Sequence, residues 1–326
     1  MSSVYITGAS AGLGRAIAQT FAGEGMTVGL IGRDEAALSQ TAAELPGRSA
    51  WAAADVARFD ELKAAAEALA AQIGPPDIWI NNAMATIFSR FQDIEPEEFA
   101  RVCDVTFMGS VHGLQLALHS MTSRGRGHMI QIGSALGYRA IPLQAAYCAS
   151  KFALRGAVES LRCELIHERS PLRLTLVHMP AMNTPQFDWA RRRLRHEPQP
   201  VPPINDPQAC AKAVLWAARH PHLREVWVGK ATLQAILGNR LVPGIMDHVM
   251  AKKAFDGQFE RPAPDDYREG NLFAPVPDPH RIKGHFTDRE ERKVLWIGTS
   301  AIREGLVLAG LLAIFVLLIL VAGWVL

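Results

Sequence analysis

Cysteine is scarce in this 326-residue chain, with Cys103, Cys148, Cys163 and Cys210 standing far apart. No two share the close spacing of a metal site or a disulfide framework, so reduced thiols in a cytosolic domain and no bound metal are expected. Net charge is equally small. At +2 the chain lacks the basic excess that nucleic-acid binding needs, which excludes that class of partner. No basic stretch precedes the first apolar residues at Val4, so no secretory signal is expected and the N-terminus should stay in the cytosol. Self-similarity at the periods of repeat proteins is absent too. What is present is 49% hydrophobic residues, enough to bury one large core or two small ones.

Strands and helices alternate from the start. Val4-Tyr5-Ile6 reads as a short buried strand, followed by the turn Thr7-Gly8-Ala9-Ser10-Ala11-Gly12-Leu13-Gly14 and a helical pattern through Ile17, Ala18 and Phe21. A strand, a glycine turn and a helix aim backbone N–H groups and the positive helix end at an anion, which suits a pyrophosphate; a tight turn that binds nothing is the bland alternative. Residues 27–31 read as the second strand, and Gly32-Arg33 follows where an acid would hold both ribose hydroxyls. The cation favours the 2′-phosphate of NADP over NAD, unless Arg33 pairs with Asp34 or Glu35 instead. Further strands are read over 48–53, 78–80, 128–133, 173–178 and 225–228, with helices over 57–72, 96–121 and 206–219. This alternation predicts an α/β fold: a doubly wound parallel sheet of about seven strands, with ligands beyond the strands' carboxyl ends. Gly8, Asn81 and Ser134 fall at such ends.

Chemistry concentrates between Ser134 and Lys151. If the segment from Gln144 onward is helical, a spacing of four puts Tyr147 and Lys151 on one face. A phenol titrates near pH ~10, and a neighbouring ammonium stabilises the phenolate and lowers that value, making a usable proton donor and acceptor. Ser134 ends the apolar run from His128, and its hydroxyl can hydrogen-bond the oxygen whose proton Tyr147 handles. By itself, a Tyr-x-x-x-Lys pair is more often a surface phenol and a solvated ammonium.

Thr7-Gly8-x-x-x-Gly12-x-Gly14, Asn81-Asn82-Ala83, Ser134 and Tyr147-x-x-x-Lys151 occur in order over roughly residues 1–245. In this the chain resembles the short-chain dehydrogenase/reductase family, in its single-domain Rossmann form with a nicotinamide cofactor. The resemblance implies that Tyr147 exchanges the proton with the substrate oxygen. Lys151 would lower the Tyr147 pKa and bind the nicotinamide ribose, and Ser134 would orient the substrate. Gly8, Gly12 and Gly14 would carry the pyrophosphate turn, with Thr7, Ser10, Leu13 and Ala83 in the same cofactor-binding set. Asp55 would approach the adenine, and Asn81 would sit beside the adenosine ribose. Three positions depart from the family pattern. Thr106 stands where an Asn usually helps hold a relay water, Met84 where a glycine usually follows Asn-Asn-Ala, and Met179-Pro180 where Pro-Gly is usual, so that Thr184 reaches the nicotinamide side. Family members often pair through the helices carrying Thr106 and Tyr147, which implies a homodimer.

Beyond the motifs, residues 181–205 are irregular, with Phe187, Trp189, Arg191-Arg192-Arg193 and Arg195. Such an insertion is expected to cover the substrate, its aromatics suiting an apolar one. The arginines read either as a solvated helix face or as contacts to anionic lipid headgroups. Residues 246–293, rich in Pro and charge, either wrap the core or form a linker. The segment 294–326 reads as a membrane anchor, because 305–326 is uncharged and about 20 apolar residues span a bilayer; a buried oligomer helix is the alternative. Trp296 and Trp324 suit the two interfaces, and Arg289, Arg292, Lys293 and Arg303 predict a cytoplasmic catalytic domain. The expected protein is therefore a membrane-anchored NADP(H)-dependent oxidoreductase that interconverts an alcohol and a ketone or aldehyde on a hydrophobic substrate. A non-catalytic, membrane-tethered NADP-binding sensor or scaffold is the rival.

Overall fold

The computed structural model describes residues 2–277 and 280–299. Seven strands form a parallel sheet: β1 (Ser3–Thr7), β2 (Thr27–Gly32), β3 (Ser49–Ala53), β4 (Ile78–Asn81), β5 (His128–Ser134), β6 (Arg173–Met179) and β7 (Glu225–Val228). They lie in the order β3-β2-β1-β4-β5-β6-β7. Because β1 and β2 are buried at every position, both faces of the sheet must be covered, as βαβ crossovers do. One layer contains α1 (Gly12–Gly23), packed on a helix over Pro207–Arg219 through Ile17, Phe21 and Val214. The other contains the helices over Phe59–Ile73, Gly109–Thr122 and Ala145–His167, packed through Leu62, Leu114 and Leu154. Strand order reverses between β1 and β4, which opens a crevice at their carboxyl ends.

An eighth strand, β8 (Trp296–Gly298), runs antiparallel along β7. Trp296, expected at a membrane interface, is thus a half-buried member of the sheet edge. The helix expected over 96–121 is divided: Pro96–Cys103, a π-helical turn at Asp104–Met108, then Gly109–Thr122. Such bulges insert one residue into the helical ladder and recur at functional sites.

The insertion and the tail fold against each other. Arg191–Arg193 forms a short strand parallel to Ile87–Ser89, and Arg191 and Arg192 are buried. Arg191 pairs with Glu98 at 3.1 Å and with Glu269, while Arg192 pairs with Asp265 at 2.7 Å and Glu197 at 3.5 Å. Neither a solvated face nor a lipid contact describes Arg191 and Arg192, while the Arg195 side chain is exposed. A buried guanidinium is stable only when paired, and the tail supplies Asp265 and Glu269. The aromatics expected to line a substrate pocket are also engaged within the chain. Phe187 packs on Phe88 and Phe286, and Trp189 on His280. The tail wraps the domain: Phe259–Pro262 pairs with His196–Pro198, and Glu290–Glu291 with Ile204–Asn205. Among the described residues no helix is long and apolar enough to cross a membrane; the expected span 305–326 lies outside them.

Arg192→Ala should lower unfolding stability by about 3 kcal/mol, because it empties a fully buried side-chain site and takes the donor from the Leu194 and Asp265 carbonyls. Urea denaturation measures this, and a loss below about 0.5 kcal/mol, the range of ordinary surface changes, contradicts the burial described.

Candidate active site

The turn after β1 is shaped by what surrounds it. Gly8 has φ +66°, and a Cβ there would lie 2.8 Å from the Ala83 Cα. A Cβ on Gly14 would overlap the Gly8 carbonyl. Only glycine permits this conformation and this approach of α1 to the strand end. Thr7 locks the same corner by accepting the Asn82 and Ala83 N–H groups at 3.0 and 3.1 Å through its hydroxyl. The Asn82 amide donates to the carbonyls of Thr7 at 3.0 Å and Gly8 at 3.2 Å. Asn82 is therefore a support of the turn that sequence reasoning passed over in favour of Asn81; the Asn-Asn pair was its only signal. Leu13 is buried in the first turn of α1, Ser10 is half-buried in the turn itself, and Thr184 packs against Gly12. The cradle fits a diphosphate: its floor is backbone that side chains would fill, at the N-terminus of a 12-residue helix.

Asn81 turns away from this cradle. Its side chain accepts from Trp79 Nε1 at 2.8 Å and donates to the Ser110 carbonyl at 3.1 Å, bridging β4 to the helix over Gly109–Thr122. Asp55 pairs with Arg101 and accepts from the Ala57 N–H at 3.0 Å. Arg33 pairs with neither Asp34 nor Glu35. It donates to the main-chain carbonyls of Asn271, Leu272 and Phe273 in the tail, and burial lowers its pKa.

Ser134, Tyr147 and Lys151 converge at the end of β5. Lys151 is 4% exposed; its Nζ donates to the Ile132 carbonyl at 2.9 Å and stands 5.5 Å from the Tyr147 ring centre. Burial pushes the Lys151 ammonium down to about 8. Burial also raises the Tyr147 phenol, against a lowering hydrogen bond with Ser134. On balance the phenol is raised, where the resemblance implies a lowering by Lys151.

The Ser134 turn is held from behind. His178 Nδ1 lies 3.2 Å from the Ser134 carbonyl, and its Nε2 lies 3.5 Å from Glu225. Glu225 accepts from Tyr138 at 2.7 Å and Trp227 at 2.9 Å. Burial alone would raise the Glu225 carboxyl, but His178, Trp227 and Tyr138 hold it down at about 2. Thr106 is fully buried in the π turn, where its hydroxyl donates to the Ala85 carbonyl and accepts the Ala85 N–H, both at 3.0 Å. The hydroxyl that stands where the family usually has a water-holding Asn thus braces the loop after β4. Met84 is half-buried beside it.

Between pH 8 and 10 the unfolded chain keeps a lysine proton that folded Lys151 has released, so this group stabilises the fold as pH rises. Unfolding free energies of wild type and Lys151→Met, compared at both pH values, should show wild type gaining on the variant. An unchanged difference contradicts the depressed pKa.

The sequence pattern described as short chain dehydrogenase matches residues 2–193. The uncharacterized oxidoreductase YxnA of Bacillus subtilis is 34% identical over 266 residues, covering 80% of this chain and 74% of that protein. An uncharacterized oxidoreductase of Staphylococcus saprophyticus is 29% identical over 224 residues, covering 66% of this chain and 90% of its own. Among solved structures, an alcohol dehydrogenase from the archaeon Thermococcus sibiricus, complexed with 5-hydroxy-NADP, superposes with a TM-score of 0.59 at 24% identity, covering 70% of this chain and 95% of that one. At that identity the likeness speaks for the fold. The family pattern and the Bacillus relative carry the assignment: the chain belongs to the short-chain dehydrogenase/reductase family and is an oxidoreductase.

Proposed function

We propose that the protein is an NADP(H)-dependent reductase and dehydrogenase of a hydrophobic carbonyl or alcohol. The observation that carries the proposal is the convergence of Ser134, Tyr147 and Lys151 at the end of β5, beside the glycine cradle. Gly8, Leu13 and Gly14 would hold the diphosphate, with Gly12, whose N–H is taken by the Arg281 carbonyl at 2.9 Å, shaping the turn, Arg33 would hold the 2′-phosphate, and Lys151 the nicotinamide ribose. Bound there, the nicotinamide supplies hydride chemistry at the carbonyl carbon. The chain's own groups manage the oxygen. Ser134 donates a hydrogen bond to it, and Tyr147 delivers the proton. A phenol with a raised pKa is protonated at neutral pH, the state required of the donor in reduction. The Lys151 charge then stabilises the phenolate that remains, while the Ile132 carbonyl keeps the ammonium in place.

The sequence of residues 305–326 supports a membrane-spanning anchor, with the catalytic domain on the cytoplasmic side. A membrane-bound site suits a substrate that partitions into lipid. Exposed Met108, Phe152 and Ile166, on the helices that family members use for pairing, support a homodimer. The rival sensor is favoured by one observation: the Thr106 hydroxyl spends its one proton on the Ala85 carbonyl and also accepts the Ala85 N–H.

Tyr147→Phe should cut turnover of lipophilic ketones or aldehydes at least about a hundredfold while NADPH affinity stays within a few-fold of wild type. Stopped-flow NADPH oxidation and fluorescence titration check the two halves. Unchanged turnover removes Tyr147 as proton donor, and tight NADPH binding by wild type with no turnover across a substrate panel favours the sensor.

A further inference from the structure

Arg33 is stabilised in a way that leaves its charge available. Its Nη1 donates to the Leu272 and Phe273 carbonyls at 3.3 and 3.2 Å, and its Nη2 to Asn271 at 2.6 Å. Carbonyls satisfy donors without cancelling charge, and among the described residues no ion pair to Arg33 is formed. A guanidinium has five N–H donors. Three hydrogen bonds are made here, two from Nη1 and one from Nη2, so donors remain for a phosphate, which arginine binds through paired N–H groups.

The surroundings favour an anion. Arg101 stands nearby, and Asp55, its ion-pair partner, offsets one of the two cations. Leu272 ties the group together. Its side chain is fully buried in the layer containing Ala54, Val56 and Val105, and its carbonyl is shared between Arg33 Nη1 and Arg101 Nε at 3.2 Å. The same tail is fastened again at the glycine turn, where the Arg281 carbonyl accepts the Gly12 N–H at 2.9 Å and the His280 carbonyl accepts from Arg15 at 2.5 Å. Burial makes the bare Arg33 cation costly, so an arriving anion gains more there than at the surface.

We propose that Asn271–Phe273 is a specificity element of the cofactor site, fixing Arg33 in the orientation that accepts a 2′-phosphate and thereby selecting NADP(H) over NAD(H). This rests on the NADP(H) reading above. It adds that selection depends on a tail lying outside the segment matched by the family pattern.

Calorimetric titration of the full chain with 2′,5′-ADP and 5′-AMP, which differ only in the 2′-phosphate, tests it without turnover. Wild type should prefer 2′,5′-ADP. Leu272→Ser should weaken 2′,5′-ADP at least about tenfold, the loss expected for hydrogen bonds to a charged group, and leave 5′-AMP unchanged. In an Arg33→Ala background the same substitution should do nothing further. Phe273→Gly, at a half-exposed position, should act in the same direction and carries the test if Leu272→Ser fails to fold. If wild type shows no preference, the NADP(H) reading falls and takes the proposal with it. If wild type prefers 2′,5′-ADP and the tail variants keep that preference, the proposal alone is overturned. Tighter 2′,5′-ADP binding in the variants also overturns it, because the tail would then be excluding the phosphate.

Discussion

A buried ammonium at the end of a parallel sheet is costly unless something fixed receives it, and the arrangement of the site follows from how Lys151 is received. Its hydrogen bond to the Ile132 carbonyl joins the helix over Ala145–His167 to β5, two residues before Ser134. With that join made, the spacing of four sets Tyr147 one helical turn earlier, and the phenol meets the Ser134 hydroxyl. Gly137 completes the fit, since a Cβ there would lie 2.9 Å from the Lys151 carbonyl. Depressed lysine and raised tyrosine have one cause, removal from water, and opposite signs, because burial disfavours the charged form of each.

Rigidity behind the site comes from charge satisfied in the interior. Glu225 gathers His178, Tyr138 and Trp227, so the turn carrying Ser134 is held both at the Ser134 carbonyl and at the Tyr138 phenol. Gln258, buried in the tail, donates to the Pro142 carbonyl and accepts from Gln144, bracing the residues just before Tyr147. The tail thereby reaches both the catalytic turn and Arg33. In this chain the segment beyond the motifs is part of the enzyme's framework.

Much of this was legible in the sequence. Hydrophobic runs bounded by glycine turns predicted the seven parallel strands, and β7 falls on the predicted residues. The Tyr147–Lys151 pair follows from helical spacing alone. Other features depend on long-range pairing that no local pattern encodes. Arg191 and Arg192 look like surface residues until Glu98 and the tail carboxylates are brought to them. Asn81 and Asn82 are equivalent in a string of letters, and only the approach of the Thr7–Gly8 carbonyls to one and of Trp79 to the other separates their roles. The short β8 carries no strand signal of its own, and pairing with β7 makes it one.

The central claim, that this site moves hydride to a hydrophobic carbonyl, is tested most directly by following an isotope. Wild-type protein in detergent would be given NADPH deuterated at the transferable position, together with a lipophilic ketone, and the product alcohol analysed by mass spectrometry. The account predicts one deuterium on the carbinol carbon. NADPH bound at the site and substrate recovered without deuterium, across a panel of such ketones and aldehydes, would contradict it.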